Sequence, residues 1–177
     1  SWKTPEEWYQ TNTLSTVWLS KLLASKDFLE NYVHVSTPEV LGSSDSWIKE
    51  DSNLNPSTPY AASRGAAETH LRLMFKEFDL PVTFTRAANV FGTGQRLYRL
   101  IPRAFLSAYL RKEFLLDGGG TSHRAFINIP DAVEATLLVA KKGRPGHSYH
   151  ISPRQSLSIK QMVEKIFEIT GMNFEDS

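Results

Sequence analysis

The sequence predicts an α/β layered fold. Three observations predict it: helix-type and strand-type segments alternate along the chain, no internal repeat or low-complexity tract interrupts them, and two long helical patterns open on the same Thr-Pro pair, at Thr4-Pro5 and Thr58-Pro59. In the first helix Thr4 can act as cap, with Pro5 at the first position and Glu7 reaching back. Trp8, Leu14, Val17, Trp18, Leu22 and Leu23 then carry an apolar face to about residue 24. Tyr32-Val33-His34-Val35 is short and β-branched, so it reads as a strand, and it empties into Ser36-Thr37. Strand ends of this kind are where open α/β sheets present functional groups. Residues 43–57 are a polar loop. The second helix runs over 59–78, with Ala67, Leu71 and Phe75 stacked at four-residue spacing.

The second half changes character after about Gly92. Residues 81–85 read as a strand, 89–94 as a turn-rich link, 100–110 as a helix and 114–116 as a short strand closed by Gly118-Gly119-Gly120. Because a further strand over 125–129 follows, the glycine triplet is expected to form a tight hairpin turn. A helix over 131–142 stops at Gly143. Ser158 and Gln161 have the spacing of a capping box, opening a last helix with Ile159, Met162, Val163 and Ile166 on one face and Gly171 at its end. The division expected is residues 1–91 as one domain and 92–177 as a smaller subdomain.

Composition excludes several functions. The 177 residues carry 20 Lys and Arg against 19 Asp and Glu, a formal charge of +1, so no bulk field recruits nucleic acid or an anionic membrane. With no cysteine there is no disulfide, thiolate nucleophile or cysteine zinc site, and the five histidines show no metal-ligand spacing. His34 reads as structural. No apolar run approaches the roughly 18 residues of a membrane span, and the polar opening is no signal peptide, so a soluble cytoplasmic protein is expected.

Two constellations carry chemistry. Tyr60 and Arg64 are four apart on a helix and share a face. A phenol, whose ordinary pKa is about 10, serves as a base near neutrality only where a cation stabilises its phenolate. Arg64 can be that cation, although the spacing equally fits a buried tyrosine beside a surface arginine. Thr37 and Glu39 follow the strand: a hydroxyl can hold a substrate oxygen and a carboxylate can remove a carbon-bound proton. A plain Ser-Thr-Pro-Glu turn fits the same residues.

Together these residues resemble the extended short-chain dehydrogenase/reductase superfamily, within it the nucleotide-sugar dehydratases, epimerases and decarboxylases. The landmarks cover nearly the whole chain: Asn12-Thr13-Leu14-Ser15-Thr16, Ser36-Thr37-Pro38-Glu39-Val40-Leu41-Gly42, Pro59-Tyr60-Ala61-Ala62-Ser63-Arg64, Arg86-Ala87-Ala88-Asn89-Val90-Phe91-Gly92, Leu100-Ile101-Pro102, Gly118/Gly120/Arg124, and Asp131 with Tyr149-His150-Ile151. The resemblance implies a Rossmann-like, doubly wound sheet lacking its N-terminal βα units, plus a small C-terminal α/β subdomain for substrate. It implies NAD as cofactor, a nucleotide-diphosphate sugar as substrate, and a homodimer through helices 5–24 and 59–78. Thr37, Glu39, Tyr60 and Arg64 would be catalytic, Tyr60 and Arg64 would also touch the cofactor, and Asn89, Arg99 and Arg124 would bind substrate.

By the same resemblance Tyr60 takes the proton of a sugar C4 hydroxyl held by Thr37, a 4-keto sugar forms, and Glu39 removes the C5 hydrogen. Glu39 makes a 4,6-dehydratase the first reading, with a UDP-glucuronate decarboxylase or 4-epimerase as alternatives, and a degenerate nucleotide-sugar binder or assembly partner as the non-enzymatic one. Departures from the family pattern mark the chain, among them Leu41 in place of a tyrosine. Pro38 replaces the family's acid, Arg64 replaces its lysine, and Tyr98-Arg99 stands where Glu-Lys is common. The glycine turn that seats a dinucleotide pyrophosphate is missing, the first glycine being Gly42. The chain therefore reads as the C-terminal portion of a longer enzyme, inactive alone, with an unpaired sheet edge at 32–35.

Overall fold

The computed structural model describes residues 2–44, 46–172 and 174, so Asp45 of the polar loop lies outside it. The chain forms two compact units, Ser1–Ala87 with Val133–Ile151, and Ala88–Ala132 with Ser152–Ser177. A single cut after residue 91 does not capture this division, because residues 133–151 return to the first unit.

The first unit is built on a three-stranded parallel sheet in the order β1 (Tyr32–Val35), β2 (Val82–Ala87), β6 (Ser148–Ile151). Val33 stands opposite Thr83, and Thr85 opposite Tyr149. β2 is buried at every position but its last, as a central strand of a parallel sheet must be. Among the described residues β1 pairs on one side only, and Val35 is 57% exposed, which is the open edge expected from the sequence.

Two helical stretches accompany this sheet, one before β1 and one between β1 and β2. The first comprises α1 (Pro5–Trp8), a π-helical stretch Tyr9–Leu14, and α2 (Ser15–Leu23). The capping box expected at Thr4 is not made: its backbone lies at φ −135° and ψ 67°, and its side chain caps nothing. The wide π turn coincides with hydroxyls that bond the backbone one turn back, Thr16 to Asn12 at 2.7 Å and Ser15 to Thr11, a competition that loosens the regular ladder. The second helix, α3 (Pro59–Phe78), starts as predicted, with Thr58 Oγ1 accepting from the Ala61 amide at 3.1 Å. Leu71 of α3 packs with Leu80, Val82 and Phe84, joined by Leu23, Leu29, Tyr32, Met74 and Phe75. Each fully buried side chain of this size contributes roughly 1.5–3 kcal/mol.

In the second unit β3 (Asn89–Phe91) runs parallel to β5 (Phe126–Asn128), and β4 (His123–Arg124) runs antiparallel to β7 (Leu157–Ser158). Its core joins α4 (Leu100–Leu110) to α6 (Ile159–Ile169) through Ala104, Ala108, Phe114, Val163, Ile166 and Phe167. The capping box of α6 is complete: Ser158 Oγ accepts from the Gln161 amide at 3.0 Å, and Gln161 Oε1 accepts from the Ser158 amide at 2.9 Å. α5 (Ile129–Lys142) starts in this unit and ends in the first.

Three expectations are corrected here. Residues 89–94 begin with a strand, because β5 supplies a partner that the local sequence does not reveal. Residues 114–116 form no strand; Phe114 is buried in the core beneath the Arg103 guanidinium, 4.4 Å from its ring centroid. The glycine triplet makes no hairpin either. It closes a 3-10 turn, Asp117–Gly120, with Gly118 and Gly119 at φ 57° and 66°, and the strand after it pairs with β7 far along the chain. No helix of the described residues is long and apolar enough to cross a membrane.

Candidate active site

The C-terminal end of β1 feeds a 3-10 turn, Pro38–Leu41, that α3 packs against. Thr37 opens this turn in extended conformation, its Oγ1 accepting from the Glu39 amide at 3.3 Å. Pro38 fixes the first turn position, and Val40 and Leu41 anchor it by burial. The turn ends at Gly42, whose φ of 76° suits glycine and whose missing side chain leaves room for the Asn55 carbonyl. Glu39 is thereby left exposed.

Tyr60 lies in the first turn of α3, half-buried, its ring edge-on to Trp8 with centroids 5.1 Å apart. Asn12 Nδ2 donates to Ser63 Oγ at 3.0 Å, and Thr13 Oγ1 donates to the Ser63 carbonyl at 2.8 Å. The π-helical stretch thus clasps the segment that carries Tyr60. Arg64 turns to the sheet: its Nη2 donates to the carbonyl of Val35, the last residue of β1, and its buried Nε has no partner. No hydrogen bond joins Arg64 to Tyr60 among the described residues.

Ser36, Asn12, Thr13 and Ser63 are therefore all engaged, whereas the Tyr60 hydroxyl, the Glu39 carboxylate and the Thr37 hydroxyl proton have no protein partner among the described residues.

Beneath them lies a set of residues that the sequence reading did not single out as site residues. Glu68, one turn beyond Arg64 and fully buried, receives Ser36 Oγ at 2.5 Å and Arg86 at two points, Nε at 3.0 Å and Nη2 at 2.6 Å. Burial pushes the Glu68 carboxyl up, but hydrogen bonds from Arg86 and Ser36 outweigh it and hold the group below its ordinary range. A charged residue at 68 on the helix face that buries Ala61 and Leu71 was the available signal.

His34 is structural, as expected: Tyr32 Oη lies 3.1 Å from its Nδ1, and its ring stands edge-on to Phe84. Burial, reinforced by the Arg64 charge, lowers its pKa to about 4.

The remaining predicted residues belong to the second unit. Asn89 opens β3, and both its amide and its Nδ2 donate to the Ala125 carbonyl, at 3.1 and 3.2 Å. This sets it beside Arg124, which is exposed, pairs through its backbone with Leu157, and donates from Nη1 to the His123 carbonyl at 2.9 Å. Arg99 precedes α4, exposed, with its guanidinium 5.4 Å from the Tyr98 ring centroid. No hydrogen bond joins Arg99 to Asn89 or Arg124 among the described residues. There too, no group of three or more His, Asp or Glu side chains is placed to hold a metal ion.

The parallel sheet with its helices defines a partial Rossmann-like α/β protein. The chain belongs to the NAD dependent epimerase/dehydratase family, whose model matches residues 1–152. It is 34% identical over 142 residues to human dTDP-D-glucose 4,6-dehydratase, covering 80% of this chain and 41% of that protein. In three dimensions it resembles Bacillus anthracis dTDP-glucose 4,6-dehydratase, solved in complex with NAD, at a TM-score of 0.90 and 32% identity over 95% of this chain and 55% of that one. The Streptomyces venezuelae dTDP-glucose 4,6-dehydratase, solved with NAD bound, gives a TM-score of 0.87 at 30% identity over 95% and 52%. The chain thus spans about half the length of the solved proteins it matches and two fifths of the human relative.

Proposed function

We propose that this chain is the C-terminal portion of a cytoplasmic NAD-dependent nucleotide-sugar 4,6-dehydratase, working through a transient 4-keto sugar. The observation that carries this reading is that the Thr37 hydroxyl proton, Glu39 and the Tyr60 hydroxyl have no protein partner among the described residues, while the neighbouring Ser36, Asn12, Thr13 and Ser63 side chains are engaged. Thr37 holds the C4 oxygen, and Tyr60 takes its proton. NAD, when bound, would supply the acceptor for the C4 hydride and the source from which it is restored. Tyr60, with its open hydroxyl, and Arg64, with its unpartnered buried Nε, are the residues that would hold the nicotinamide ribose. Glu39 then removes the C5 hydrogen, made acidic by the neighbouring ketone, a C5=C6 double bond forms, and the C6 hydroxyl leaves as hydroxide with the electron pair of its C–O bond. Pro38 gives that oxygen no proton, which is the specific support for a second reading as a UDP-glucuronate decarboxylase or 4-epimerase relative.

Asn89, Arg99 and Arg124 serve the nucleotide-sugar side, where an arginine fork suits a diphosphate. A homodimer is supported by the exposed stripe Leu14, Trp18 and Leu22, at 47%, 63% and 57% exposure on one helical face. The 177 residues hold no glycine-rich pyrophosphate turn, so by themselves they bind nucleotide sugar without turning it over.

The test is keto-sugar formation, followed by proton NMR, in a protein carrying these residues behind a family N-terminal portion. Product is expected, abolished by Glu39→Gln and by Tyr60→Phe and retained by Arg64→Lys. Keto sugar made undiminished by Glu39→Gln would contradict the dehydratase assignment.

A further inference from the structure

One buried carboxylate ties the strand end to a loop remote from it in sequence. Ser36, the residue before Thr37, is fixed twice: its amide donates to the Thr85 carbonyl at 2.7 Å, and its hydroxyl donates to Glu68 Oε1. A hydroxyl bonded to an ionised carboxylate is held more firmly than one bonded to a neutral acceptor. The two-point pair with Arg86 keeps Glu68 charged, and Arg86 Nη1 in turn donates to the Glu50 carbonyl at 3.1 Å. The Glu50 carboxylate accepts from the His150 amide at 2.7 Å, pinning the polar loop to the end of β6. Arg72 adds a second cation, 3.6 Å from Glu68 Oε2.

We propose that Glu68 is a positioning residue, which sets Thr37 and the Glu39 turn through Ser36 and sets the Glu50 loop through Arg86. The role in catalysis rests on the function proposed above; the mechanical coupling does not. Thr37 itself has no bond to a neighbouring element among the described residues that would fix its hydroxyl, so its placement depends on the residue before it. A carboxylate serves better here than a neutral amide, because it accepts Ser36 and both Arg86 donors at once.

The experiment is amide hydrogen exchange on this chain, wild type and Ser36→Ala, which removes one hydroxyl and leaves the Glu68–Arg86 pair intact. Exchange at the amides of residues 36 and 40 is expected to rise at least about tenfold, the low end for loss of one hydrogen bond to a charged group, while amides of α6 stay unchanged. Ser36→Thr, which keeps the hydroxyl, restores exchange to within about twofold of wild type. Glu68→Gln is expected to release, in addition, the Asn55 amide, which donates to the Val40 carbonyl at 2.9 Å. Unchanged exchange in Ser36→Ala overturns the proposal, as does a uniform rise over the whole first unit, which would mark a purely structural bond. Titration of the wild-type chain with dTDP-glucose separates the two ideas: no binding counts against the function, and the exchange result stands by itself.

Discussion

Arg86 grips Glu68 at two points inside the first unit, Nε to Oε1 at 3.0 Å and Nη2 to Oε2 at 2.6 Å, with both side chains essentially excluded from water. Removing one partner strands a buried charge, whereas removing both does not. Glu68→Ala is expected to destabilise the chain by about 3–5 kcal/mol in urea unfolding. The double change Glu68→Met with Arg86→Met is expected to recover most of that loss. Equal destabilisation by the single and double changes would show that the charges are not compensating each other.

Acid should weaken the fold through His34. Its folded pKa, about 4, lies below the ordinary value of 6.5, so between these values the unfolded chain binds a proton that the folded chain refuses. The stabilisation from neutral His34 is complete above pH 6.5 and is lost as the pH falls toward 4, up to about 3 kcal/mol in all. Lowered pKa values at Glu68 and His150 act in the same direction. His34→Gln is therefore expected to flatten, without abolishing, the dependence of the urea midpoint on pH between 7 and 4.5. An unchanged slope would assign the titration to other groups.

Gly42 tests the turn that presents Glu39. Alanine there must adopt φ near 76° and bring its Cβ against the Asn55 carbonyl oxygen. Gly42→Ala is expected to cost at least ~1–2 kcal/mol from the backbone alone. A thermal midpoint equal to wild type would mean the turn relaxes freely.

In the second unit Phe167 is 1% exposed and packs edge-on to Phe174, with centroids 5.2 Å apart. Phe167→Ala should cost about 3–5 kcal/mol by urea unfolding monitored on that unit. A loss under about 1 kcal/mol would place the core of this unit elsewhere.

Legibility in the sequence followed the range of the forces involved. The helices at 59–78 and 159–169 announced themselves because Thr58, Pro59, Ser158 and Gln161 act on their own turns, and both caps form. Thr4-Pro5-Glu6-Glu7 offered the same local signal and formed no cap, so the pattern permits the bond without compelling it. β3, β4 and the non-strand at 114–116 were hidden because their partners, or in Phe114 the core contact, lie far along the chain. The candidate site residues Thr37, Glu39 and Tyr60 could be placed from the sequence at a strand end and in a helix's first turn, and the structure puts them on those elements. The destination of Arg64 was not: a guanidinium long enough to reach the Val35 carbonyl bonds to the sheet, where a phenolate partner for Tyr60 was expected. Glu68 was equally visible as a charge on a buried face, and only the folded arrangement reveals that Ser36 and Arg86 converge on it.

The central claim is that these residues are the nucleotide-sugar-facing part of a dehydratase-type site. Calorimetric titration of the chain with NAD and, separately, with dTDP-, UDP-, GDP- and CDP-sugars tests it most directly. The account predicts saturable binding of one nucleotide sugar, weakened at least tenfold by Arg124→Ala, and little or no binding of NAD. Tight NAD binding together with indifference to every nucleotide sugar would contradict it.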